Sequence, residues 1–585
     1  MLLERRLDEL ASRTLTDVLG LTERAPALLR PTQDPRFGDY QLNGVLPLAK
    51  KLGKNPRELA TAVAEALAKN EAFSGAEVAG PGFVNLRVRD EWLANELVTA
   101  LRDPERDGIP VVDAPTKIVV DFSSPNVAKQ MHVGHLRSTI IGASIVSMFR
   151  FVGHEVIGDN HIGDWGTQFG LLIVGMREWG DSAALERDAI VELERVYKLA
   201  SNRAKEDEAF AESARRELAK LQSGDAENRA LWQRFVDVTR KALDSVYAEL
   251  GVTFDTWLGE SAYDGMLAPV VDALLRDGLA REDDGAICVF FSELASAPAK
   301  LKKQKEPFIV RKRDGAFLYA TTDIATVLYR RDTFAANRCV YVVDVRQGQH
   351  FEQLFAVAQA LGVEMKLEHV GFGTVLGEDG RPLRTRDGGT VTLKSLLDEA
   401  KTRAEARIRE GIAEGRLKLD ESEVAEVARA VGIGAVKFAD LSQNRLTDYK
   451  FEWDKMISFQ GRSGPYLQYT VARCGAIFRK GDIDAAQNDR TATLVVTDES
   501  ESALIRQLAR FGDVVHQAAE SCNPHFVAEQ LFELAGGFNT FYSRVKVLEA
   551  PDEATRASRL ALVSLTRRQL ARGLGLLGIE TVERM

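Results

Sequence analysis

A chain of 585 residues has room for roughly three to five domains with ample buried core, and 45% hydrophobic against 28% charged residues excludes a disordered or fibrous class. The net charge of −10 argues against indiscriminate nucleic-acid binding, which favours a basic surface, but leaves room for local positive charge. Cys288, Cys339, Cys474 and Cys522 lie far apart with no C-x-x-C pair, so neither a disulfide framework nor a zinc site is expected. The opening MLLERRLDEL is charged and helical rather than a signal peptide, and no apolar run is long enough to span a bilayer, so a cytoplasmic location is expected.

Residues 1 to about 110 read as a small α+β module. Helical periodicity in LLERRLDELASRTL gives way to PTQDPRFGDYQLN, then to a helix in NPRELATAVAEALAKN opened by Pro56, then to the strand-like alternation of AEVAGPGFVNLRV. After Ala114-Pro115, KIVVDF has the length and β-branched content of a buried strand. The polar turn SSPN follows, and AKQMHVGHLRSTIIGASIVSMF carries helical spacing, which puts His132 and His135 at a strand-to-helix turn. A second strand in HEVIGDN and the glycine-rich GDWGTQFG imply a nucleotide-binding α/β sheet with its ligands at the carboxyl ends of the strands.

Residues from about 180 to 260 are helical and highly charged, as a solvated hairpin with i,i+4 ion pairs would be. From Lys300 to Arg313 basic residues cluster, fitting either a phosphate-backbone contact or a solvated hairpin. Asp314-Gly315 signals a turn, AFLY then ends a strand, and Thr321 or Thr322 caps the next helix, so that Tyr319 and Asp323 share one junction. HVGFGTVL reads as a final strand leading through GEDGRPLRTRDGG into the helix VTLKSLLDEAKTRAEARI. Beyond about residue 425 the pattern is all-α, with TDESESA, after DIDAAQNDRTAT, as a surface excursion.

The placement of the two histidines has a chemical use. The first turn of a helix has unpaired N–H groups and a positive dipole end suited to phosphate, and imidazole N–H groups there can stabilise charge developing on a phosphoryl centre. Gly134 between them lets a flat ring approach the backbone. His-x-x-His can also chelate a metal, but no third ligand lies nearby in ligand-like spacing; two unrelated capping histidines are the other alternative.

SSPNVAKQMHVGHLRSTIIG followed by GDNHIGDWGTQFG resembles the first signature of class I aminoacyl-tRNA synthetases, specifically the arginyl-tRNA synthetases, and the resemblance runs from about Arg36 to the C-terminus. It implies an α/β fold class: a Rossmann-type catalytic domain with an N-terminal α+β domain, a helical insertion and a C-terminal all-α anticodon-binding domain. The corresponding boundaries are 1–112 for the tRNA-elbow-binding domain, 113–400 for the catalytic domain with its insertion at about 178–300, 401–462 for a helical stem-contact linker, and 463–585 for the anticodon-binding domain.

The activity implied is arginine–tRNA ligation through an arginyl-adenylate. L-arginine, ATP accompanied by Mg2+ without a dedicated protein cage, and tRNA(Arg) are the expected partners of a monomer. A guanidinium needs a carboxylate for paired charge-assisted hydrogen bonds and neutral oxygens for its other donors. Asp323, Tyr319 and Gln347 match the positions that contact the substrate arginine, and Asp121, Ser124 and Asn126 those around its α-amino end. Spacing alone would also fit Asp323 as a helix N-terminal acid.

His132, Gly134 and His135 match the ATP-binding signature. The second signature departs from the superfamily: where K-M-S-K is usual, Pro382, Leu383, Arg384 and Thr385 stand. Arg381, Arg384 and Arg386 can supply positive charge there, and Lys129, just before the histidines, occupies the position thought to compensate. Phe83 and Asn85 match the tRNA-elbow contact, and Tyr466, Phe538, Tyr542 and Met585 the surroundings of the anticodon; each aromatic taken singly also fits a core position. Relatives commonly activate arginine only with tRNA bound, and the same is expected here. The rivals are a synthetase for another amino acid or a simpler H-x-G-H nucleotidyltransferase, both opposed by the length, the Tyr319, Asp323 and Gln347 set and the C-terminal module, and a non-catalytic tRNA-binding paralogue, opposed by the intact histidine pair.

Overall fold

The structure, a computed structural model, describes residues 2–32, 34–377, 379–381, 383 and 391–585. Its centre is a four-stranded parallel sheet of β1 (Lys117–Asp121), β2 (Glu155–Asp159), β3 (Arg338–Tyr341) and β4 (Lys366–His369), in the spatial order β4-β3-β1-β2. Ile118, Val119 and Val120 of β1 have no exposed surface, as expected of a central parallel strand covered on both faces. Strand order reverses between β1 and β3, where Tyr341 pairs with Asp121, so a crevice opens beyond their carboxyl ends.

Four helices bound that crevice: α1 (Val133–Phe151) after β1, α2 (Ala226–Glu249) from the insertion, α3 (Tyr319–Asp332) before β3, and α4 (Gly348–Ala360) after it. Helix α1 packs closely on the sheet because residue 142 is glycine. A Cβ there would stand 2.3 Å from the Phe122 side chain.

The N-terminal module is a four-stranded antiparallel sheet, with AEVAGPGFVNLRV split into the hairpin Phe73–Ala79 and Phe83–Val88 instead of one strand. The insertion is helical as expected, but it continues into a three-stranded antiparallel sheet spanning Arg281–Asp283, Ala286–Val289 and Phe308–Arg311. The C-terminal region is a bundle containing Gly464–Gly481, Glu499–Glu520, His525–Arg544 and Glu553–Leu576.

Three sequence expectations need correction. Within AFLY, Phe317 makes an isolated bridge to Arg311 and α3 begins at Tyr319; Thr321 and Thr322 lie inside the helix, and the Thr321 hydroxyl donates to the Val310 carbonyl. HVGFGTVL is not one strand. Beyond β4 its backbone turns to the C-terminal half, with the Gly373 N–H on the Arg445 carbonyl and Val375–Leu376 paired with Tyr449–Lys450. TDESESA is a helix start and not a surface excursion. Asp498 and Glu501 form a capping box, and Glu501 is fully buried against Arg559 at 2.7 Å.

Candidate active site

The turn between β1 and α1 holds an uncommon backbone. Ser123, Ser124 and Ala128 all have positive φ, at 74°, 49° and 63°. Left-handed non-glycine residues persist where surrounding bonds over-determine them, and they cluster at functional sites. Here the Ser123 N–H donates to Ser138 Oγ at 2.8 Å, and the Ser124 N–H to Asn160 Oδ1 at 3.1 Å.

His132 caps α1. Its Nδ1 accepts from the Gly134 N–H at 3.0 Å, while the His132 N–H donates to His135 Nδ1 at 3.1 Å, a reciprocal box made by two imidazoles. A Cβ at residue 134 would come within 2.9 Å of the His132 ring, so glycine is what admits this contact. Burial, then the charge of Lys129, holds His132 below its ordinary value. Burial, with His132 and Lys129 nearby, pushes His135 down to about 4. Both rings are therefore neutral near pH 7. Because each Nδ1 accepts, each Nε2 carries the hydrogen and is a donor. The turn thus offers two imidazole N–H groups, an exposed Lys129 ammonium and a helix N-terminus together.

At the other side of the crevice, Tyr319 opens α3 with 63% of its surface exposed, and its ring lies 4.9 Å from that of His350. His350, from the first turn of α4, meets Asp323 Oδ2 through Nε2 at 2.6 Å. Gln347 is exposed at the start of the same helix. The charge of Asp323 also reaches Glu260, which no sequence signal had pointed to. Burial and the neighbouring charges of Asp323 and Asp164, opposed by His161, push its carboxyl up to about 7.

Asp121 is more enclosed than its expected role at an α-amino group suggests. Its Oδ2 accepts from the fully buried Arg330 at 2.7 Å and its Oδ1 from the Ser124 hydroxyl at 3.0 Å. Asp159 accepts from the same Arg330 at 2.6 Å. Asp121, Asp159 and His161 are spaced for a metal ion, the one such group among the described residues, but the Arg330 guanidinium already supplies its positive charge. This donor set does not fit a divalent ion. Asn126 is exposed, with Oδ1 so close to Gly163 that a Cβ there would be 2.2 Å away. Arg384 and Arg386, with Pro382 and Thr385, lie outside the described residues; Arg381 is exposed and its carbonyl closes the turn by accepting from the Gly377 N–H at 2.7 Å.

Residues 100–453 match the family of class I (R) tRNA synthetase catalytic domains, residues 5–88 the arginyl-tRNA synthetase N-terminal domain, and residues 467–585 the DALR anticodon-binding domain. The chain belongs to the arginyl-tRNA synthetase family. Among similar proteins, the arginine–tRNA ligase of Marinomonas sp. (strain MWYL1) is 44% identical over 571 residues, covering 97% of both chains. Solved arginyl-tRNA synthetases from Plasmodium falciparum and Thermus thermophilus each superpose with a TM-score of 0.81 at 27% identity, covering all of this chain and 99% and 100% of theirs.

The family's other expected surfaces can be placed from this frame. Phe83 and Asn85 alternate with the buried Val84 and Leu86, so both take the open face of the N-terminal sheet, where Asn85 Oδ1 accepts from Gln41 Nε2 at 2.9 Å. In the C-terminal bundle Asn539 donates to the Tyr466 hydroxyl at 2.8 Å, Arg473 donates to Asn539 Oδ1 at 3.0 Å, and the Arg473 guanidinium lies 4.7 Å from the Tyr542 ring. Met585 is partly buried against the bundle. Phe538 departs from expectation. It has no exposed surface and stacks behind Tyr542, so it backs that ring and offers no face to a base.

Proposed function

We propose that the crevice joins arginine to tRNA in the two steps of class I chemistry, with the residues above in the following roles. The arginine guanidinium enters the Asp323 and Glu260 pocket, with Tyr319 and Gln347 taking its remaining donors and His350 holding Asp323 in place. Asn126 receives the α-amino end, and Asp121 acts from behind it through Ser124. The arginine carboxylate then attacks the α-phosphorus of ATP, and pyrophosphate leaves. His132 and His135 donate from Nε2 to the charge developing on the phosphoryl oxygens, Lys129 neutralises the phosphates, and Arg384 and Arg386 of the second signature assist. The 2′-hydroxyl of the terminal adenosine next attacks the arginyl carbonyl and AMP departs.

Mg2+ comes with the nucleotide, held by phosphate and water. Phe83 and Asn85 face the tRNA elbow, and Tyr466, Tyr542 and Met585 lie about the anticodon. The cytoplasm fits this reading, with its tRNA and ATP and with the four unpaired thiols of the chain.

The observation that carries this reading is one crevice with the Asp323 carboxylate, held by His350 beside Tyr319, at one side and two neutral imidazole donors beside a lysine at the other. Arginine-dependent pyrophosphate exchange and charging of tRNA test it, with lysine and citrulline as competitors. Arginine alone should be attached, since one ammonium cannot satisfy acceptors set for a planar fork and citrulline lacks the charge. Attachment of either competitor would remove the pocket assignment.

A further inference from the structure

The inserted helix α2 reaches the catalytic turn through one buried face. Asn228, Phe235, Thr239, Leu243 and Tyr247 are its inward residues, and two of them touch the left-handed segment. The Thr239 hydroxyl accepts from the Ala128 N–H at 3.4 Å, and the Tyr247 hydroxyl lies 2.7 Å from Ser123 Oγ. Ser123 Oγ in turn lies 2.8 Å from Thr139 Oγ1, and Thr139 Oγ1 donates to the His135 carbonyl at 2.7 Å. At the other end Asn160 Nδ2 donates to the Tyr247 oxygen at 3.1 Å.

The direction of this chain is set at both ends. Asn160 Oδ1 accepts from the Ser124 N–H, which leaves its Nδ2 as the donor. A carbonyl can only accept, so Thr139 must donate to His135. Each hydroxyl has a single hydrogen, and so Tyr247 donates to Ser123 and Ser123 to Thr139. The order runs Asn160, Tyr247, Ser123, Thr139, His135, with each hydroxyl hydrogen used once. Burial keeps the tyrosine protonated, so its end of the chain does not titrate in the working range.

We propose that Tyr247 is a positioning residue for arginine activation: through this one-way relay it holds Ser123 in its left-handed conformation and fixes the backbone of His135. The segment it holds carries Asn126 and Lys129, and the carbonyl at its end belongs to a signature histidine. One hydroxyl from the insertion therefore sets the arginine side and the phosphate side of the cleft together. This rests on the activation chemistry proposed above.

The test compares the full-length parent with Y247F, S123A, T139V and T139S in pyrophosphate exchange with arginine, ATP and tRNA, alongside tRNA binding and thermal melting. Removing one buried, fully used hydroxyl should raise the arginine KM about fivefold and slow exchange about tenfold, with tRNA affinity unchanged. T139S keeps the hydroxyl and should stay within about twofold of the parent, and Y247F combined with T139V should be no slower than the slower single variant. Y247F with parental arginine KM and rate overturns the proposal. So does T139S as slow as T139V, which would assign the loss to shape, or a double variant that multiplies the two defects. Exchange absent from the parent itself overturns the functional reading and the relay with it.

Discussion

The charge of Asp323 reaches Glu260, so a guanidinium placed at Asp323 gives arginine binding a pH dependence. With the pocket empty, Glu260 is half-protonated at about 7 because burial and then the charges of Asp323 and Asp164 oppose its ionisation. A bound guanidinium reverses that balance, so binding below pH 7 must expel a proton. The arginine KM should therefore fall as pH rises from 5.5 and level off above about 7.5. E260Q should flatten this profile and raise KM at pH 8 by about tenfold or more, the worth of one charge-assisted hydrogen bond. An unchanged slope in E260Q would assign the titration elsewhere. At the opposite wall, H135A removes a donor aimed at developing charge and should lower the adenylation rate by about 10²-fold with little change in the arginine KM, read by single-turnover kinetics.

The same residues show what the sequence made legible. His132, Gly134 and His135 could be placed because their chemistry is local to four positions at a strand-to-helix turn. Glu260 and His350 could not, since His350 meets Asp323, and the Asp323 charge reaches Glu260, only once the folded chain brings distant elements together. Asp121 was visible, but its capture by Arg330 on α3 was not.

At the level of elements, β1 was readable from the length and β-branched content of its apolar run and α1 from the long apolar stretch after the SSPN turn, and their contact makes a prediction of its own. Gly142 sits against Phe122, the residue just before the left-handed turn. G142A forces a methyl to within 2.3 Å of that side chain, so α1 or the turn must move. Overpacking of this kind costs about 1–3 kcal/mol. A lowered melting temperature together with slower arginine activation is the expected result, whereas a Gly-to-Ala change at Gly536, where nothing lies within 4 Å of a new Cβ, should spare both. The misread elements fail for a shared reason. HVGFGTVL has a strand's composition, but its hydrogen bonds go to Arg445 and Tyr449, and TDESESA has a surface segment's polarity while Glu501 is buried on Arg559. Partners far along the chain decided both.

For the molecule as a whole, the decisive contact is one that joins its two ends. The N-terminal module packs on Glu499–Glu520 of the C-terminal bundle, where Arg506 pairs with Asp39 at 2.8 Å and with Asp90 at 2.5 Å. On the same helix Asp513 Oδ2 accepts from the Glu4 N–H at 3.1 Å, so a carboxyl of the last domain caps the first helix, Leu3–Leu19. Burial is the chief cause, with the Glu4 charge adding to it, that pushes Asp513 up to about 7. An unfolded aspartate titrates near 3.9, so between about pH 4 and 7 the folded state holds a proton that the unfolded state has lost. The contribution of this group to stability must then fall as pH rises through that window, opposite in sign to an ordinary salt-bridged carboxylate. D513N keeps an acceptor oxygen for the Glu4 N–H and carries no charge to bury. It should raise the melting temperature by several degrees at pH 8, and the gain should shrink as pH falls through that window and vanish near pH 4, where the carboxyl is neutral in the folded and unfolded chain alike. A variant that melts with the parent at pH 8 would show that water reaches Asp513 and that the seam between the terminal domains is open in solution.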